Sequence, residues 1–146
     1  MFRSGNQTGF SLMELLVVLV SLAIIGAMAM PAVGSMQAQM KASEDIRAVE
    51  ATLRHLREEA VRQKVPVSVT FESSRLSWDI GADGEADGSM SLSPNSHWGS
   101  GMPANLSFNG MGLARGAAIE TEIKVENGNS VLSLTVNANG HVSFGS

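Results

Sequence analysis

Gly9-Phe10-Ser11-Leu12-Met13-Glu14 leads into Leu15-Leu16-Val17-Val18-Leu19-Val20-Ser21-Leu22-Ala23-Ile24-Ile25-Gly26-Ala27-Met28-Ala29-Met30-Pro31-Ala32-Val33, and the reading of this stretch decides the fold. From Leu15 to Met40 there are 26 residues without a charge, and the 19 from Leu15 to Val33 are almost wholly apolar. A hydrocarbon core about 30 Å thick takes roughly 20 apolar residues of helix. The run is therefore long enough to span a bilayer before the polar Ser35, Gln37 and Gln39 begin. Arg3 precedes it, whereas Lys41 is followed by Glu44 and Asp45. That asymmetry favours an N-terminus on the cytoplasmic side and a remainder outside the cytoplasm.

The rest of the chain bounds the answer. Its 146 residues are enough for one domain, and the absence of cysteine excludes a disulfide framework, a Cys-ligated zinc site and a thiol nucleophile together. Ten Lys and Arg against fourteen Asp and Glu give a net charge of −4 and a pI near 5.3. A field of that sign repels phosphate, so nucleic acid is not an expected partner. No cofactor is implied.

Three readings of the apolar run compete. It is an uncleaved single-pass anchor, or a secretory signal peptide cut after Ala27-Met28-Ala29, or something that uses Glu14. Glu14 argues against the first two, because a carboxylate carried to the bilayer centre costs on the order of 2.5–3.5 kcal/mol and asks for a partner. Gly9-Phe10-Ser11-Leu12-Met13-Glu14 followed by an apolar helix resembles the prepilin signature of type IV pilins and type II secretion pseudopilins. The resemblance implies a leader over 1–9, cleavage after Gly9 by a prepilin peptidase, and N-methylation of the new terminus on Phe10. Phe10 and Glu14 stand four residues apart, so on a helix the terminal amine and the carboxylate share a face, and methylation keeps the amine cationic. In the family the glutamate meets the terminal amine of another subunit during assembly. Pro31 lies where the family commonly has a proline, and it removes a backbone hydrogen bond to Ala27, which predicts a kink or loosening between Gly26 and Gly34.

Past the apolar run, Ile46, Val49, Leu53, Leu56 and Ala60 recur at spacings of three and four, one stripe of an amphipathic helix. Six basic and five acidic residues from Lys41 to Lys64 occupy the other positions and read as a solvated face. Val65 precedes Pro66 and is pushed out of the α region, so the helix should stop near Lys64. The period then changes to two. Val67, Val69 and Phe71, then Leu76, Trp78 and Ile80, flank a Glu72-Ser73-Ser74-Arg75 turn and predict a hairpin. Ile119, Ile123 and Val125, then Leu132, Leu134 and Val136, then Val142 and Phe144, with turns at Asn127-Gly128-Asn129 and Asn139-Gly140, predict an antiparallel meander. The expected fold is α+β, a long N-terminal helix, transmembrane over 10–35 and then amphipathic, packed on an antiparallel sheet within a periplasmic domain over 36–146. The pilin-like fold implied by the resemblance is the same.

Gly81 to Asn105, rich in Gly, Ser, Asp and Pro, is expected to be a long surface loop. Within it, Asp83, Glu85 and Asp87 imitate the first half of a calcium loop, but counting from Asp83 the twelfth position, where a bidentate acid is required, is Pro94. An acidic solvated turn is the preferred reading. His55, His97 and His141 are scattered, and no nucleophile elbow or His-Glu-x-x-His occurs, so no catalytic residue is assigned and an enzyme is not expected.

Leu56-Arg57-Glu58-Glu59-Ala60-Val61-Arg62 followed by Pro66-Val67-Ser68-Val69 looks like the helix-to-strand junction of the H-type pseudopilins and FimT-type minor pilins. Some FimT-like relatives bind DNA through a Gly-Arg-x-Arg motif near the C-terminus. The comparable stretch here, Gly140-His141-Val142-Ser143, has no arginine, and Val65 to Ser146 carries three basic residues against eight acidic. The resemblance implies a minor pseudopilin of the type II secretion pseudopilus, on the bacterial inner membrane. Its implied partners are prepilin peptidase, other minor and major pseudopilins, the inner-membrane assembly platform and the lipid bilayer. The alternatives are a FimT- or FimU-like minor pilin of a type IV pilus and, from another class, a Sec-processed periplasmic binding module.

Overall fold

A computed structural model describes residues 11–115 and 120–144, without the side chains of 28–33. The chain divides into two compact units, residues 1–34 and 35–146. One helix, α1 (Leu12–Gln63), contributes to both. Ser11 caps it: its Oγ accepts from the Met13 amide at 3.3 Å and satisfies a donor that the first turn leaves open. At the other end Lys64 takes a left-handed φ of 59°, which stops the helix before Pro66.

Among the described residues of the second unit, nine strands form two antiparallel sheets. The first has the order β3-β2-β1-β5-β6, built from β1 (Val67–Glu72), β2 (Arg75–Ile80), β3 (Gly88–Ser91), β5 (Asn105–Phe108) and β6 (Ala114–Arg115). The second has the order β4-β7-β8-β9, built from β4 (Ser96–Trp98), β7 (Glu120–Asn127), β8 (Ser130–Asn137) and β9 (Val142–Phe144). The β1–β2 hairpin runs in register from Val67↔Ile80 to Glu72↔Arg75 around Ser73-Ser74. The meander pairs Ile123 with Leu134 and Val136 with Val142. Of the residues expected in its strands, Ile119 lies outside the described residues.

The helical stripe and both sheets share one core. Ile46, Val49, Leu53, Leu56 and Ala60 are buried together with Val67, Val69, Leu76, Leu106, Phe108, Ile123, Val125, Leu134 and Val136. An apolar stripe of this width, covered by the alternate residues of the strands, is the main stabilising term, with each fully buried Leu or Phe contributing about 1.5–3 kcal/mol.

The expected α+β fold, a long helix on antiparallel strands, is the one that forms, with the strands divided between two sheets. One expectation is corrected: Gly81 to Asn105 is not one long loop, because β3 and β4 lie within it as edge strands. Gly88-Ser89-Met90-Ser91 of β3 has little strand propensity of its own, and pairing with β2 imposes the conformation. Gly88 lies so close under the Trp78 indole that a Cβ there would fall 2.3 Å from the ring. Trp98 is held by its Nε1, which donates to the Arg75 carbonyl at 3.1 Å, and by an edge-on contact with Phe71 at 5.2 Å between ring centres.

Candidate functional site

The first part of α1 has no covered face. Leu12, Met13, every residue from Leu15 to Val20, Leu22, Ile24 and Ile25 are exposed, with Leu16, Val18 and Val20 the least so at 50–51%. A helix that is apolar all round and uncovered leaves a large apolar surface open to an apolar partner. Its one hydroxyl in this stretch past the cap is already satisfied, Ser21 Oγ donating to the Val17 carbonyl at 2.8 Å, so it adds no cost in an apolar medium. Among the described residues no helix is long and apolar enough to cross a membrane. The described apolar side chains of this part end at Ala27, and those of residues 28–33 lie outside the description.

Glu14 sits in the first turn of α1, exposed, its amide bonded to the Ser11 carbonyl at 2.9 Å. A carboxylate there complements the positive end of the helix dipole. Gly9 and Phe10 lie outside the described residues, as does the side chain of Pro31, whose backbone is helical.

The acidic loop turns its carboxylates on its own backbone. Asp79 accepts from the amides of Asp83 (3.2 Å) and Gly84 (2.8 Å), Asp83 from Glu85 (3.0 Å) and Asp87 from Ile80 (2.6 Å). Among the described residues no three His, Asp or Glu side chains converge to hold a metal. The histidines stay apart: His55 is on α1, His141 just before β9, and His97 on β4, where its Nε2 lies 3.5 Å from Glu126.

The charged positions of α1 hold a network that sequence reasoning missed. Far from forming one solvated face, Asp45 and Glu59 are buried. Asp45 accepts from the Ser93 amide at 3.1 Å and from its hydroxyl at 2.8 Å, which ties α1 to the chain after β3. Arg57 donates from Nε to the Gly112 carbonyl at 3.0 Å and from Nη2 to that of Asn139 at 3.3 Å, while Arg54 donates to Val142 at 3.2 Å. A signal existed for Asp45: it stands three residues after Ala42 and four before Val49, inside the apolar stripe. Glu59 accepts from Arg62 Nε at 2.9 Å and from Gln63. The Arg62 hydrogen bond, then that of Gln63, holds its carboxyl below the ordinary 4.5.

Around Arg57 two turns meet. A Cβ on Gly140 (φ 73°) would fall 2.0 Å from the Gly112 carbonyl oxygen, and one on Gly112 (φ 76°) would fall 2.8 Å from Val61. The Ala114 amide also donates to the Ala138 carbonyl at 3.1 Å, so the two sheets are joined here by backbone as well as by the guanidinium. Within residues 35–146 these bonds tie α1 to the chain of both sheets.

Comparison with known proteins places this architecture. The family model described as type II transport protein GspH matches residues 45–140, from the buried Asp45 to the Gly140 turn. No curated protein matches the chain. Among solved structures, the type IV minor pilin FimU of Pseudomonas aeruginosa (strain PAO1) aligns with a TM-score of 0.58 and 15% identity over 77% of this chain and 91% of that one. The minor pseudopilin EpsH from the type 2 secretion system of Vibrio cholerae aligns with a TM-score of 0.57 and 17% identity, over 73% of this chain and 97% of that one. At these identities the likeness is one of fold, the pilin-like α+β arrangement. With the family model covering 96 of the 146 residues, the chain belongs to the GspH family of type II transport proteins.

Proposed function

We propose that this protein is a minor pseudopilin, a structural and non-catalytic subunit of the type II secretion pseudopilus that helps drive protein export across the outer membrane. The observation that carries the reading is the uncovered apolar start of α1 with a lone carboxylate, Glu14, in its first turn. In this reading residues 1–9 are a leader removed by prepilin peptidase, Phe10 becomes the methylated N-terminus, and 10–35 span the inner membrane with the N-terminus cytoplasmic. Residues 36–146 then stand in the periplasm, and the partners are the other pseudopilins and the inner-membrane assembly platform.

The chemistry of Glu14 follows. Left alone in lipid it costs on the order of 2.5–3.5 kcal/mol, and an N-terminal amine from a neighbour removes that cost only when the subunit is in register. Pro31 loosens the helix locally. A minor pilin of a type IV pilus is the second reading, favoured by the FimU alignment, which scores as well as that of EpsH.

Intact mass and N-terminal sequence of the membrane-extracted protein test the reading. A chain starting at methylated Phe10 is expected; a start at Met30 means signal-peptidase cleavage, and a full-length chain an ordinary anchor, and either refutes it. Deletion in the native host then separates the machines, with loss of exported proteins from the medium expected and loss of piliation alone pointing to the pilus.

A further inference from the structure

We infer that the end of the domain where α1 runs into β1 pairs with the same end of a second copy of this chain, the acidic loop of each copy lying in an apolar, base-rimmed groove of the other. The inference goes beyond the secretion reading and does not rest on it. The topology brings two loops to this end. Val67, the first residue of β1, pairs with Ile80 on one side and with Phe108 on the other, so the loops that follow β2 and β5 leave the sheet two strand spacings apart, about 10 Å. The Gly81 amide donates to the Pro66 carbonyl at 2.7 Å, and a Cβ on Gly110 would fall 2.7 Å from the Lys64 carbonyl oxygen, so both loops lie against the chain that leaves α1.

The loop after β5 is a braced apolar tip. Asn109 Oδ1 accepts from the amides of Met111 and Leu113, both at 3.0 Å, and the Asn109 amide donates to the Leu113 carbonyl at 3.0 Å. Held in this way, Met111 is 73% exposed and Leu113 39%. Met111 and Val61 of α1 line both of two adjoining cavities, of about 420 and 450 Å³, which therefore form one groove. A large apolar side chain held out on a preorganised loop marks a contact surface, and a thioether adapts readily to what covers it.

Charge selects the occupant. Arg57, Arg62 and Lys64 rim the groove against one carboxylate, Glu58. Arg57 and Arg62 are engaged within the molecule, whereas Lys64 makes no ion pair or side-chain hydrogen bond among the described residues. The loop after β2 is the opposite pole. From Leu76 to Ala114 there is no Lys or Arg, and the four acids of that segment, Asp79, Asp83, Glu85 and Asp87, equal the net charge of −4 on the whole chain. None of the four makes an ion pair among the described residues. Asp83, Glu85 and Asp87 are exposed, and so are the small apolar Ala82 and Ala86 set among them. Unlike charges thus stand unpaired on the two sides of one end. A two-fold axis through that end carries each acidic loop to the other copy's groove, so both contacts form together and the assembly closes at two. An anionic lipid or nucleic-acid surface does not match, because it would meet the acidic loop about one Debye length from the groove.

Because the chain has no cysteine, single ones can be placed cleanly. Full-length Met111→Cys and Ala86→Cys, carrying different tags and mixed in detergent, are joined with a short bis-maleimide; Thr70→Cys, at an exposed position of β1, replaces Ala86→Cys as the control. The expected result is a mixed-tag dimer at least about five-fold above the control. Its yield should fall at least about five-fold when Lys64→Glu is added to both chains, and should recover when Glu85→Lys is added as well. Sedimentation velocity of the unsubstituted chain should show a dimer that dissociates in about 1 M salt, where the Debye length falls to about 3 Å. A mixed dimer no more abundant than the control, or one indifferent to Lys64→Glu in variants that keep the parent melting temperature, overturns the inference. So does an unsubstituted chain that stays monomeric, or a dimer that salt leaves intact.

Discussion

Replacing Gly140 with alanine tests the claim that the two sheets are locked through the Arg57 junction. Alanine at a φ of 73° carries a left-handed penalty of about 1–2 kcal/mol. A second cost is particular to this site, since the new Cβ would lie 2.0 Å from the Gly112 carbonyl oxygen, a backbone atom that cannot rotate away. The two turns must separate, and with them go the bonds from Arg57 to Gly112 (3.0 Å) and to Asn139 (3.3 Å) and from Ala114 to Ala138 (3.1 Å). At about 0.5–1.5 kcal/mol for each, and more where a guanidinium donates, their loss adds about 2–4 kcal/mol. The total is about 3–6 kcal/mol. Gly128→Ala is the control: its φ of 58° carries the same backbone penalty, but its Cβ meets nothing nearer than Ala38 at 3.8 Å, so about 1–2 kcal/mol is expected. For a domain of this size about 4 °C of melting temperature is lost per kcal/mol. Thermal unfolding followed by circular dichroism on residues 35–146 should therefore show a drop of at least about 12 °C for Gly140→Ala and about 4–8 °C for Gly128→Ala. Equal drops for the two would refute the reasoning, because the backbone penalty alone would then account for both.

Asp45→Ala leaves the Ser93 amide and hydroxyl without their acceptor and should destabilise the domain by about 1–3 kcal/mol in urea unfolding, with Ser93→Ala giving a smaller loss. Leu53→Ala, at a position with no exposure, should cost about 2–5 kcal/mol by the same assay. Glu59 is held below the ordinary 4.5 by Arg62 and Gln63, and Glu122 by its hydrogen bond with Lys124. A lowered folded value means that their stabilisation is complete above that ordinary value and fades as the pH falls through the folded one, so melting temperature should decline on the acid side and Glu59→Gln should flatten the decline. Glu14→Ala should leave cleavage after Gly9 intact, read by N-terminal sequencing, while lowering recovery of the subunit with sheared or cross-linked filaments; unchanged recovery would rule out the amine–carboxylate register.

The apolar run, the helical stripe, the β1–β2 hairpin and the C-terminal meander were legible because each depends on residues within one or two turns of one another. The same locality made Glu14 visible as a charge against an apolar helix. The partners of Asp45 and Arg57 were not legible, for a physical reason: Ser93 lies 48 residues from Asp45, and Gly112 and Asn139 lie 55 and 82 from Arg57, and no local pattern identifies a contact at that separation. The strands between Gly81 and Asn105 were hidden in the same way, as a Gly- and Ser-rich run such as β3 and a three-residue strand such as β4 show no period of their own and take strand geometry from the neighbouring strand that supplies the hydrogen bonds. The sequence by itself determined the helix, the first hairpin, the C-terminal meander and which of their residues face the core, since periodicity is a property of the chain. The tertiary structure alone decided that the sheet is divided in two, which helical charges are buried as ties, and where apolar surface is left uncovered, because burial depends on what the rest of the chain brings alongside.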